Sequence, residues 1–203
     1  MLDAILSDGG DGTYGFDRRW GPDAELASMD NGSGDEYSIV FTAAGAFVRG
    51  FDHESVMSPY GDENHRTWPG LIEAVPLEFA EWVSEPAFCD DGGAGPFLAA
   101  TVCLWRRHDQ PAWQTGDIEF PTGRRAGGDP DGASWLFHLL ADGTPDAYCR
   151  YAADYFGHPV DPADVRHVFE HRPLDPELVR RLNPDASLAG LAEPLDTIGF
   201  PSP

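Results

Sequence analysis

The chain of 203 residues contains no lysine, and all 13 of its basic residues are arginine. That absence excludes a phosphate-loop lysine, a Schiff-base lysine and a Ser–Lys dyad, and with them the ATPases, aldolases and pyridoxal enzymes built on those groups. Positive charge is scarce altogether: 35 acidic residues leave a formal charge of −22. Nucleic-acid binding needs cationic groups to displace phosphate counterions, so no nucleic acid is expected as a partner. An anionic membrane surface is disfavoured for the same reason. Cationic partners, metal ions and neutral polar ligands remain. The preference for arginine and aspartate fits translation from a GC-rich genome, and equally an acidic surface that keeps a protein soluble in salt.

Cysteine is sparse too. Cys89, Cys103 and Cys149 are odd in number and form no C-x-x-C pair, which points to a reduced, cytoplasmic setting. The first eight residues lack the basic region of a signal peptide. No apolar run approaches ~18 residues, so no membrane span is expected. Nucleophiles are equally hard to find. There is no G-x-S-x-G elbow. Cys89 precedes two aspartates, which would raise a thiol pKa, and Cys103 sits in an apolar strand as core filler. No cofactor is implied.

What is present suffices for a core. Hydrophobic residues make up 41% of the chain, which argues against disorder despite 23 glycines and 18 prolines. The expectation is one globular domain over 1–203, with a loop-rich segment over 1–36. Within that segment a short strand is expected near Tyr14–Trp20. Gly10-Asp-Gly12-Thr-Tyr-Gly15 formally matches G-x-G-x-x-G, but no amphipathic helix follows it, so a dinucleotide site is not expected. Asp8, Asp11 and Asp17, or Asp129 and Asp131, have oxygens for Ca²⁺, yet neither run completes an EF-hand loop. Aspartate and glycine are also the commonest turn formers.

The organising stretch is 37–68. Two apolar segments around Thr42-Ala-Ala-Gly45 predict a β-hairpin over 37–51, with Tyr37, Ile39 and Phe41 on one face. Residues 52–70 read as a long ordered loop. A helix is expected over 71–84 on the spacing of Phe79, Trp82 and Val83. Strands are expected over 97–105 and 113–120, and 135–140 is ambiguous between strand and helix. Four helix starts use a capping residue followed by proline: Thr144-Pro145, Asp161-Pro162, Asp175-Pro176 and Asn183-Pro184. Tyr148, Tyr151, Ala152, Tyr155 and Phe156 form the stripe of the first of these helices.

The densest chemical cluster is Asp52-His53-Glu54-Ser55. In an extended chain Asp52 and Glu54 point one way, where two carboxylates can bind a cation or raise each other's pKa. His65 and Trp68 lie in the same loop and can complete a pocket. The competing reading is that these side chains pin a long loop by bonding to its backbone. A second candidate is Asp164, His167 and His171, at i, i+3 and i+7 on one polar helix face, where paired histidines can hold a metal. The bland reading there is a solvated helix face. Trp20, Trp68 and Trp113 lie beside loops and suit a surface, whereas Trp82, Trp105 and Trp135 have apolar neighbours.

Pro76-x-x-Phe79 followed by Asp91-Gly92-Gly93 resembles the opening of SUKH-type bacterial immunity proteins over about a tenth of the chain. That pattern begins its domain, whereas here two strands precede it, so no residue role is carried over. The fold expected is α+β: a mostly antiparallel sheet from the middle of the chain with several short helices in the C-terminal third. The function expected is a cytoplasmic, bacterial-type, non-enzymatic binding or protein-interaction module, its ligand a protein partner or a small polar molecule. The alternative is a metal-dependent hydrolase using residues 52–54.

Overall fold

The computed structural model describes residues 1–7, 12–93, 95–122 and 127–201. In chain order the elements are α1 (Leu2–Leu6), β1 (Tyr14–Gly21), β2 (Ala24–Asp30), β3 (Glu36–Thr42), β4 (Gly45–Phe51), β5 (Cys89–Asp91), β6 (Pro96–Leu98) and β7 (Val102–Arg107). They continue with α2 (Ala133–Leu136), α3 (His138–Asp142), α4 (Pro145–Tyr155), α5 (Pro162–Phe169), α6 (Pro176–Leu182) and α7 (Ala192–Ile198). The class is α+β, as expected, with an antiparallel sheet from the middle of the chain and helices C-terminally. Among the described residues no helix is long and apolar enough to cross a membrane. The chain forms two compact units, Met1–Trp20 with His138–Pro203, and Gly21–Phe137.

In the first unit the proline-led starts are real at three of four places. Thr144, Asp161 and Asp175 each accept a backbone N–H of the first turn, and proline follows in a position with no N–H to lose. The fourth, at Asn183, starts no helix. Its side chain is buried and donates to the carbonyls of Ile5 (2.8 Å) and Leu6 (3.3 Å), so it closes the open end of α1 instead. The core gathers Ile5, Ala152, Val165, Leu174, Leu178 and Leu191. The stripe on α4 buries Tyr148 and Ala152, while Tyr155 is exposed. Asp3 lies inside this unit, 3% exposed; it accepts the Tyr148 hydroxyl at 2.7 Å and the Tyr14 amide at 3.0 Å. Burial pushes the Asp3 carboxyl and the Tyr148 phenol up, because each loses solvation for its charged form.

In the second unit β2, β3, β4 and β7 are hydrogen-bonded neighbours in that order. The hairpin is as expected, Thr42 pairing Gly45 across the turn. Both of its faces carry buried residues. Val40 pairs with Phe47, which pairs with Trp105, and all three are buried, whereas Phe41 is 36% exposed. The reason is the 3₁₀ helix Leu77–Ser84, which covers that side by stacking Phe79 on Phe47 at 6.4 Å. The 3.0-residue period explains why Phe79 and Trp82 are the two residues it buries. On the other side, Tyr37 lies beside Phe137 at 5.1 Å. Gly50 permits this seating, since an added Cβ would stand 3.0 Å from Leu136 and 3.1 Å from Phe137.

Three other expectations are corrected. The segment expected to be mostly loop holds a second strand, β2. The 97–105 run is not one strand but β6 and β7, interrupted at 99–101. In 113–120 the described residues make one bridge, Gln114 with Trp105. Residues 135–140 are helical turns. The last two positions of the glycine motif, Tyr14 and Gly15, open a strand where a dinucleotide site needs a helix; Gly10 and Asp11 lie outside the described residues, as does Asp8.

Tyr148→Phe leaves the buried Asp3 short of a donor and should destabilise the protein by about 1–3 kcal/mol. Tyr155→Phe, on the exposed ring, should stay within ~0.5 kcal/mol. Urea midpoints of the two variants check this.

Candidate functional site

The chain leaves β4 at Phe51 and turns at once, so Asp52 and Glu54 do not share the side that an extended strand would give them. Asp52 causes the turn: its Oδ1 accepts the Glu54 amide at 2.8 Å and its carbonyl accepts the Ser55 amide at 3.2 Å. The Asp52 amide donates to Thr101 Oγ1 at 3.1 Å, and the Thr101 hydroxyl donates to the Asp131 carbonyl at 2.7 Å. The Ser55 hydroxyl donates to the Pro130 carbonyl at 2.7 Å and accepts the Met57 amide at 3.0 Å. Asp52 and Ser55 therefore tie the turn to the 129–132 loop. Asp129 and Asp131, read as calcium oxygens, cap the start of α2. Asp17 accepts the Arg19 amide.

His53 joins a residue the sequence did not flag. Asp35 Oδ1 accepts both the amide of His53 (3.1 Å) and its Nδ1 (2.6 Å); Oδ2 accepts Asn31 Nδ2 (2.8 Å) and Trp135 Nε1 (3.3 Å). Burial pushes the Asp35 carboxyl up, but the donors from His53, Asn31 and Trp135 together outweigh it and hold the carboxyl low. The hydrogen bond to Asp35 raises the His53 imidazole against its desolvation, with Asp35, Glu54 and Asp52 adding attraction. Asp35, Asp52 and His53 are the grouping of ligand atoms within 4.8 Å of one another among the described residues. A carboxylate has about four acceptor positions, and all four on Asp35 are taken. Glu54, on the exposed side of the turn, is not part of it.

His65 and Trp68 stand elsewhere. They line a cleft of about 890 Å³ with Met57, Asp62, Arg66, Ile72, Glu73, Val83, Phe97 and Leu98, and Asp52, His53, Glu54 and Ser55 are not among its lining residues. His65 holds a left-handed backbone at φ 52°, costly for a residue with a Cβ by about 1–3 kcal/mol. Its ring is fixed by stacking on Phe97 at 4.7 Å and by the edge of Tyr60 at 5.7 Å. Gly92 leaves room for the ring: a Cβ there would stand 2.6 Å from His65 Cδ2. Nδ1 of His65 is buried without a hydrogen-bond partner among the described residues. Trp68 is anchored by Nε1 to the Glu119 carbonyl at 3.0 Å. The Tyr60 hydroxyl donates to Asp90; burial first, then that bond, pushes the phenol up to about 12. Arg66 binds Asp62 through Nε at 3.2 Å and a terminal nitrogen at 2.9 Å, holding that carboxyl well below its usual range.

Asp164, His167 and His171 do not converge. α5 ends at Phe169, and His171 follows in the left-handed conformation (φ 52°) of a Schellman cap, its amide on Val168 and that of Arg172 on His167. Asp164 is held bidentately by Arg181 at 2.7 and 2.9 Å, and His167 Nε2 donates to the Pro173 carbonyl at 2.8 Å. The bond to Pro173 occupies one of the two ring nitrogens of His167.

Sequence reasoning missed Asp35, Arg49 and the cleft walls at Ile72, Glu73, Val83 and Phe97. Arg49 did leave a trace, as a charge inside an otherwise apolar strand. Compared with family models, curated proteins and solved structures, the chain matches none.

The Asp35–His53 bond should make stability depend on pH. The lowered Asp35 carboxyl contributes above its ordinary 3.8 and loses that contribution as pH falls through its folded value. The raised His53 contributes fully below 6.5 and loses it as pH rises through its folded value. The stability gap between wild type and His53→Gln should therefore be larger at about pH 5.5 than at about pH 8.5 in denaturant titrations.

Proposed function

We propose that the protein is a non-enzymatic binding module and that the cleft between the 57–73 loop and the 96–98 strand is its ligand site. The observation that carries this is the composition of the cleft: aliphatic and aromatic walls, a ring cluster of fixed geometry, and polar and charged groups such as Asn64, Thr67 and Glu73 among them. That is the make-up of a recognition pocket, and its volume lies within the ~300–1,000 Å³ usual for one. His65 supports it further, since strained backbone in a residue that caps no helix is characteristic of ligand clamps. Asp52 and Ser55 belong to the frame in this reading, because their polar atoms are spent on backbone groups of neighbouring loops.

The second reading is a metal-dependent hydrolase at Asp52, His53 and Glu54, and the convergence of Asp35, Asp52 and His53 favours it. Four donors on Asp35 count against it, because a cation would have to displace them. Metal analysis of chelator-free protein separates the two. The binding module predicts zinc, manganese and iron well below one equivalent. One equivalent that disappears on His53→Ala would overturn the binding-module reading.

A further inference from the structure

We infer that the cleft takes an arginine or lysine side chain presented by a partner protein; this rests on the reading of the cleft as the ligand site. The lining holds two carboxylates, Asp62 and Glu73, against one guanidinium, Arg66. Arg66 is already committed to Asp62. Glu73 is exposed and accepts its neighbour's amide, from Ile72 at 3.2 Å, with no ion pair among the described residues. Among the described residues the cleft thus presents one carboxylate without a counter-charge beside apolar walls at Met57, Val83 and Leu98.

A cation on an aliphatic stem fits that combination: the stem covers apolar surface while the head stays at the carboxylate. Trp68 lines the same cleft, and an indole is the ring that attracts a cation most strongly. Chain-wide charge acts in the same direction, since −22 raises the local concentration of cationic segments and repels acidic ones. A volume of about 890 Å³ exceeds what one side chain fills, which points to a short segment of a protein and not a lone amine.

The test uses isotope-labelled full-length protein and three short acetylated peptides: one with a central arginine, its citrulline isostere and its glutamate analogue. The arginine peptide should shift the amide signals of Met57, Trp68 and Glu73. Glu73→Gln should weaken it about three- to fivefold, the size of a partly exposed ion pair, while Glu193→Gln on α7 should leave it unchanged. Equal binding of the citrulline peptide, or no effect of Glu73→Gln, would overturn the cationic ligand yet leave the cleft as a binding site. Shifts mapping away from the cleft, or none with any peptide, would overturn both readings.

Discussion

The second unit depends on a buried arginine. Arg49 is 1% exposed in the middle of β4; its Nε donates to the Ala99 carbonyl at 2.5 Å and a terminal nitrogen donates to Glu36 Oε1 at 2.6 Å. Taking a guanidinium out of water costs several kcal/mol, and only bonds that satisfy its donors make the burial tolerable. One consequence is visible in the chain path. The Ala99 carbonyl faces Arg49, and Thr101 donates its amide to Gly50 and its hydroxyl to Asp131. The apolar run 97–105 therefore breaks into two strands, and Leu98 and Phe97 are delivered to the cleft.

The same arginine reaches the ring cluster. Its guanidinium carbon stands 5.9 Å from the centre of Phe51, within cation–π range. Phe51 adjoins Tyr60 at 5.7 Å, and Tyr60 adjoins both His65 and Phe97. A continuous row of rings thus runs from the core of the sheet to the wall of the cleft. The Asp35–His53 bond does a different job at the end of β4, closing the Asn31–Asp35 turn onto the 52–55 turn. It fixes where the loop begins and leaves the cleft to the residues beyond Met57.

Much of the fold was legible because local chemistry dictates it. Capping residues followed by proline mark α4, α5 and α6, and the small-residue turn at 42–45 marks the hairpin. Asn183-Pro184 misled because asparagine can spend its amide on a distant helix end as readily as on its own. The spacing of Phe79 and Trp82 did mark the element that covers β3, but spacing does not record which face of the hairpin a helix packs on. The candidate site was legible in part. His65 and Trp68 do meet in a cleft, but Phe97 and Val83 reach it through tertiary contacts that no spacing records. Asp35 could not be matched to His53 from sequence, since 18 residues and two strands separate them.

The claim that Arg49 holds the cleft in shape is tested most directly by amide hydrogen exchange on Arg49→Met. The account predicts that protection falls together at Ala99, at Thr101 and across 57–72, while the β2–β3 pairs stay protected. Protection across 57–72 equal to that of wild type, with Ala99 exposed, would show that the cleft does not depend on Arg49.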